Sequence, residues 1–299
     1  MKKEERIVFI NKGLNYTVSK RKFHLPSIGE TNYYAIVNDS TEEVISTCKE
    51  RYKVVQNDEI MNIIKSIFPD STLIDCGHFD NGGKTYYFLK PYGHNAITHN
   101  VGSHEIDYYY YVLNSHDGTS GLRFGTASKV ISCSNMFSTL PGDSSFVIKH
   151  TTNLEENANI KANIIAGLNI MITKEHDTYL NWRSSPLFIR ELNNPQCENI
   201  IKRAMGVDPR IPNDKLSAKQ MIRFNTLKNF CSKEMTRLGR NLFGFYNGFT
   251  YYCTNILGAR ASDKGINPHK TILKGVGSEI NTRAFKATQL LYESRQAPS

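Results

Sequence analysis

Two periodicities divide the chain. Up to about residue 133 apolar residues alternate with polar ones or gather in short β-branched and aromatic runs, and from about Leu154 they recur every three to four positions. The first spacing is that of strands and the second that of helices. Residues 33–37 and 51–55 are rich in Tyr, Val and Ile and predict strands. Between the second of these and the next strand, Asn57 is placed to cap a helix whose apolar stripe is Ile60, Met61, Ile63, Ile64 and Phe68, stopped by Pro69. A meander follows, with a strand over 72–79, the turn Asp80-Asn81-Gly82-Gly83 and a return strand over 84–89. Another strand over 105–113 carries four consecutive tyrosines, Tyr108 to Tyr111. A polar turn over 114–121 leads to a strand over 122–133.

In the second half, Leu154, Ala158, Lys161, Ile165, Leu168 and Ile172 set out a helix to about Leu180. A short helix over 198–205 ends at Gly206. Asn213-Asp214 then opens a long helix to about Phe245, continuing through Tyr251-Tyr252 after a break at Gly244 or Gly248. A last helix covers about 279–293. The pattern predicts an α+β fold: an antiparallel β-meander sheet in residues 1–150, packed against long helices in 151–299, within one integrated domain. With 299 residues the chain has length enough for a core that needs no crosslinks.

Charge changes the picture. Residues 200–299 hold 17 Lys/Arg against six Asp/Glu, a net of +11, while 1–199 hold 20 against 22, a net of −2. Such asymmetry points to a polyanionic partner. On the predicted long helix Lys215, Lys219, Arg223, Lys233, Arg237 and Arg240 fall within an arc of about 100°. The apolar set from Leu216 to Leu242 falls largely opposite, so the cations form a ridge suited to a phosphate backbone, the alternative being a solvated helix face. Arg123 and Lys129 on one strand, and Lys149 beyond it, would add phosphate contacts. One pair of the Tyr108–Tyr111 run would be core; the other would be packing as well, the commoner role of aromatic pairs, or a platform for unpaired bases.

Catalytic signals are sparse. No phosphate-binding glycine loop, nucleophile elbow or H-E-x-x-H stands in the sequence. His116-Asp117 would serve as a base and its orienter, or simply cap backbone in a turn; Cys133 and His150 would pair only if the fold joins them. Six cysteines without C-x-x-C spacing predict reduced thiols, and Cys76-Gly77-His78 lacks a second ligand pair at a fitting distance. No cofactor or metal is expected. The charged, briefly apolar start is unlike a signal peptide, and no apolar run reaches the roughly 18 to 20 residues of a membrane span.

Five segments, in this order and spacing, resemble the phage/plasmid-like protein family: residues 52–57, the Asn114-Ser115-His116-Asp117-Gly118-Thr119-Ser120 turn with Leu113 before it, 130–135, 149–153 and 247–252. The resemblance runs from about residue 30 to the C-terminal helix, and the turn is its most specific part. The family is of unknown function and is carried by bacteriophages, plasmids and some bacteria, which implies a protein of the bacterial cytoplasm. Where the family has Arg before His-Thr this chain has Lys149, keeping the charge and losing the bidentate geometry. A looser similarity, of architecture alone, is to phage single-strand annealing proteins, which form rings and so imply a homo-oligomer. The expectation is a non-enzymatic nucleic-acid-binding protein of replication or recombination, preferring single-stranded DNA, with no membrane partner. The alternatives are a nucleic-acid-processing enzyme with its site at the 114–120 turn, or an accessory module that binds a host protein.

Overall fold

The computed structural model describes residues 3–25, 29–92, 98–130, 138–139, 145–148 and 158–296. In chain order they form α1 (Lys3–Asn11), β1 (Val18–Leu25), β2 (Gly29–Asn38), β3 (Glu43–Lys49), α2 (Asn57–Ile67), β4 (Ser71–Phe79), β5 (Lys84–Pro91), β6 (Thr98–Val101), β7 (His104–Ser115), β8 (Leu122–Val130), β9 (Ser138–Thr139) and β10 (Ser145–Ile148). The helical part follows as α3 (Ala158–Arg183), α4 (Pro195–Met205), α5 (Ala218–Leu238), α6 (Leu242–Tyr251), α7 (Gly258–Ser262), α8 (Pro268–Leu273) and α9 (Val276–Gln296). The class is α+β, with antiparallel strands in the first half and helices in the second. No helix among the described residues is long and apolar enough to cross a membrane. Contacts gather the chain into two compact units interleaved in sequence, one from residues 1–97, 108–126 and 144–171, the other from 98–107, 127–143 and 172–299.

The first unit contains a three-stranded antiparallel sheet, β1-β2-β3, and pairs β4 with β5, β5 with β7 and β10 with the start of β8. The β4–β5 hairpin lies where the turn signal predicts it: Phe79 faces Lys84, and Asp80 and Asn81 both take positive φ. Helix α2 also matches, burying Ile60, Met61, Ile64 and Ile67. Its cap is Gln56 rather than Asn57: the Glu59 carboxylate accepts from the Gln56 N–H at 3.0 Å, and Asn57 turns inward to donate to the Leu14 carbonyl at 3.2 Å. The strand expected over 51–55 is instead a turn and an extended loop, and the strand precedes it as β3. The Lys20 ammonium explains the difference. It donates to the carbonyls of Glu50 and of Tyr52 (3.2 Å), so a side chain takes acceptors that a neighbouring strand would otherwise use.

In the second unit β6 pairs with the first residues of β7, and β9 with Ala127 and Ser128 of β8. Helices α4, α5, α6 and α9 pack together. The single long helix expected over 213–245 is two helices and a separate short turn. Residues 213–215 form that turn, Ser217 caps α5 by accepting from the Gln220 N–H at 3.3 Å, and the helix ends at Gly239 with φ 120°. Asn241 caps α6, and the chain between is tied to residues 185–187 by Leu187 N–H to the Arg240 carbonyl (3.0 Å) and Leu242 N–H to the Ser185 carbonyl (3.1 Å). Gly244 and Gly248, read from sequence as breaks, lie inside α6 on the side that meets α5. A Cβ at Gly248 would lie 2.4 Å from the Cys231 Cα, and one at Gly244 would lie 2.3 Å from the Gly239 carbonyl oxygen. The two helices therefore touch backbone to backbone.

Gly248→Ala forces α6 off α5, because the obstructing atoms are main chain. The expected loss is about 1–3 kcal/mol of unfolding free energy, measured by urea titration, whereas Gly258→Ala, whose Cβ would meet its nearest neighbour at 3.7 Å, leaves the midpoint unchanged.

Candidate nucleic-acid interface

Helix α5 carries four of the six predicted ridge cations: Lys219, Arg223, Lys233 and Arg237. Lys215 belongs to the turn before the helix and Arg240 to the link after it, so the start of α5 at Ser217 removes the first from the helical arc and the break at Gly239 the second. The remaining four span an arc of about 80° along a helix of about 31 Å. The buried face of α5 is Phe224, Leu227, Cys231, Glu234, Met235 and Leu238. It lies about a third of a turn from the cations, not opposite them. The outermost face is instead Ile222 (69% exposed), Asn225, Asn229 and Thr236. The cations thus line the margin of the packed face.

Their environments differ. Lys219 is exposed, Arg223 is half-buried, and neither has an ion-pair partner among the described residues. Arg237 pairs with the buried Glu234, its Nε donating at 3.3 Å, so part of the ridge charge is answered within the helix. Lys233 lies over the Phe230 ring, 5.5 Å from its centroid. Phe230 belongs to the same stripe, and its ring stacks on Tyr251 at the end of α6, with centroids 4.9 Å apart and planes 29° apart. Both rings are half-buried. The stripe therefore reads Lys219, Arg223, Thr226, Phe230, Lys233, with an aromatic stack beside its last cation.

The tyrosine run of β7 packs instead of forming a platform. Tyr108, Tyr109, Tyr110 and Tyr111 are all buried, so no pair of them offers a face to bases. Tyr110 stacks on Phe68 (4.7 Å) and donates to the Asn169 Oδ1 (2.8 Å), and Tyr111 fills the space left at Gly125, where a Cβ would lie 2.5 Å from its ring. Both faces of this stretch of β7 are covered, and alternation along a strand cannot reveal that. Arg123 and Lys129 are each half-exposed on β8, and Arg123 donates to Ser145 Oγ at 3.3 Å. Lys149, Cys133 and His150 lie outside the described residues.

The 114–120 turn is a closed polar cluster in the first unit. The buried Lys84 ammonium lies 2.7 Å from Asp117 Oδ2 and donates to Thr119 Oγ1 at 2.5 Å. Asp117 also accepts from the Ser115 hydroxyl, the Thr119 hydroxyl (2.7 Å) and the Thr119 N–H (3.0 Å). Partial burial raises the Asp117 pKa, but the bonds from Lys84, Ser115 and Thr119 outweigh it and hold the carboxyl far below its ordinary range. His116 is fully buried, with Nε2 3.1 Å from Asn57 Oδ1 and 3.3 Å from Asn114 Nδ2. Its N–H and that of Asp117 donate to the Gly83 carbonyl (2.8 and 3.1 Å), while Tyr52 donates to the Ser115 carbonyl at 3.0 Å. His116 and Asp117 therefore point to different partners rather than to each other. Their bonds tie the turn to the β4–β5 hairpin and to α2.

The chain matches a family described as a domain of unknown function (DUF932) over residues 44–273. It belongs to that family. No curated protein and no solved structure matches the chain. The DUF932 span takes in α2, the 114–120 turn and the whole α5–α6 pair, so both clusters lie within it.

A third cluster had no signal in the sequence. Glu175 of α3 is fully buried in the second unit, where its Oε1 accepts from Ser128 Oγ (2.8 Å) and Tyr179 OH (2.6 Å). Its Oε2 is buried without a hydrogen-bond partner. Burial lifts the carboxyl to about 7 against the two hydrogen bonds that lower it. Among the described residues no group of three or more His, Cys, Asp or Glu is placed to hold a metal ion.

Two outcomes follow from these environments. Asp117→Asn strips the buried Lys84 of its counter-ion and is expected to cost roughly 3–5 kcal/mol in a urea titration. The wild-type contribution is present above the ordinary carboxyl pKa of about 3.9 and is lost as pH falls through the depressed folded value. Glu175 has the opposite sign. Its stability contribution is full below 4.5 and is lost as pH rises through about 7. A difference on the order of 3 kcal/mol between pH 4.5 and 8 is expected, and Glu175→Gln removes that slope.

Proposed function

We propose that this DUF932 chain binds single-stranded nucleic acid along α5, with phosphates on Lys219, Arg223 and Lys233 and unpaired bases against the Phe230–Tyr251 stack. The observation that carries the reading is the stack itself. Phe230, within the row of cations on the α5 margin, stacks on Tyr251 at the end of α6, and both rings are partly exposed. Cations alone suit any polyanion. Aromatic faces between them suit a strand whose bases are unpaired. The uneven charge supports the same partner, since residues 200–299 carry a net of +11. We infer that the preferred ligand is single-stranded DNA, handled without catalysis during replication or recombination of a phage or plasmid in the bacterial cytoplasm. The family resemblance in the sequence supports that setting. The closed hydrogen bonding of the 114–120 turn speaks for structure there and against the enzyme reading, because Asp117, Ser115 and Thr119 are engaged with Lys84 and one another.

Fluorescence anisotropy with a labelled thymidine oligomer is expected to show log affinity falling with log salt by about 0.7 per phosphate contact. Replacing Lys219, Arg223 and Lys233 together by Gln is expected to flatten that slope by about 2 with little change in stability. Phe230→Ala should cost single-strand affinity and leave duplex affinity nearly unchanged. Arg237→Gln serves as the contrast. It removes the ion pair from the buried Glu234 and so lowers stability instead. Binding that is absent at low salt, or indifferent to the triple substitution, rejects the interface.

A further inference from the structure

A second candidate site lies in the other unit, on the sheet β1-β2-β3. A surface cavity of about 560 Å³ is lined by Asn32, Tyr33, Lys49, Glu50 and Arg51. That volume lies within the roughly 300–1,000 Å³ typical of small-ligand sites. Tyr33 is 53% exposed where the β1–β2 register shifts, and it stands directly opposite Lys49 in the β2–β3 register. Opposed residues share a sheet face with Cβ atoms about 5 Å apart. The cavity therefore has an open aromatic ring with an ammonium group beside it.

The other wall is a fixed turn. Tyr52 N–H donates to the Lys49 carbonyl at 3.1 Å, closing Lys49-Glu50-Arg51-Tyr52, and the Lys20 ammonium binds the carbonyls of Glu50 and Tyr52. Lys20 in turn lies 4.3 Å from the centroid of the Tyr34 ring, and the Tyr52 hydroxyl is anchored on the Ser115 carbonyl at 3.0 Å. The turn backbone is thus held from two sides. Glu50 and Arg51 are exposed, and the Lys49, Glu50 and Arg51 side chains have no ion-pair partner among the described residues. Their formal charges leave one net positive charge in the cavity.

We propose that this cavity binds one nucleotide: an aromatic base stacked on Tyr33, its phosphate on Lys49 and Arg51, its edge hydrogen-bonded to Asn32 and Glu50. An amide and a carboxylate together meet both acceptors and N–H donors on a base edge. A guanidinium suits phosphate oxygens bidentately. One net positive charge matches a phosphodiester or a monophosphate better than a triphosphate. The nucleotide comes either free from solution or as one residue of a bound strand, and the chemistry of recognition is the same for both.

Two titrations of the full chain separate the sources. Calorimetry uses the four deoxynucleoside 5′-monophosphates and the four ribonucleoside 5′-monophosphates, and anisotropy uses a labelled thymidine oligomer. The variants are Tyr33→Ala, Tyr33→Phe and Arg51→Gln, with Phe230→Ala as the control on α5. Monophosphate binding that falls about tenfold or more in Tyr33→Ala, falls in Arg51→Gln, and survives in Tyr33→Phe and Phe230→Ala supports the site with a free ligand. No monophosphate binding, but oligomer affinity reduced about tenfold by Tyr33→Ala with Tyr33→Phe unchanged, supports it with a strand. If Tyr33→Ala alters neither titration, the proposal is overturned whatever becomes of α5. If the oligomer fails to bind but monophosphates bind through Tyr33, the α5 interface falls and this site stands.

Discussion

The backbone contact between α5 and α6 governs the helical unit. Gly244 and Gly248 are four residues apart and so share one face of α6, and that face lies against the main chain at Gly239, Cys231 and Met235. Any side chain there would open the pair. Phe245 and Phe249 of α6 and Leu227, Cys231 and Leu238 of α5 are all buried. The close approach sets the end of α6 beside the middle of α5, where Tyr251 meets Phe230. The cations of α5 are carried to the margin of this contact as a consequence. Aromatic stack and charge arise together from one packing constraint.

Charge is handled in three ways in this chain. Exposed cations such as Lys219 stay solvated, where a lone charge costs little. Arg237 and Lys228 are paired with Glu234 and Glu198, so part of the C-terminal positive charge is answered locally. Lys84 is taken fully inside and matched by Asp117, Ser115 and Thr119. A buried pair of this kind is a weak source of stability. Its effect here is positional: it fixes the 114–120 turn over the β4–β5 hairpin, while Asn57 and His116 link the same turn to α2. The 114–120 turn is thus a junction between strands and a helix.

Glu175 is the exception to these arrangements. Its Oε1 is well bonded, its Oε2 is not, and no cation faces it among the described residues. A carboxyl so placed is held neutral more readily than charged. The rings of Trp182, Phe243 and Tyr246 surround Tyr179, which donates to it. The core of the second unit therefore contains one group whose charge state changes near neutrality.

Much of the architecture was legible from periodicity. The α+β division, helix α2, the β4–β5 hairpin and the Gly206 end of α4 follow from patterns a few residues long, because each element's burial is written into its own spacing. The cations of α5 were legible for the same reason. What the pattern did not contain are contacts between distant residues. Lys84 and Asp117 are 33 residues apart, and nothing in either neighbourhood announces the other. Residues 51–55 have strand composition, yet Lys20 binds the carbonyls of Glu50 and Tyr52, and the segment is a turn followed by a loop. The four tyrosines of β7 alternate correctly and are all buried, since covering the second face depends on which elements arrive there. The end of α5 at Gly239, the pairing of Arg237 with Glu234 and the stacking of Phe230 on Tyr251 likewise depend on packing. Local spacing determined which segments are strands or helices and which way they lean; tertiary contact decided which charges are answered, which rings stay open and where the chain turns.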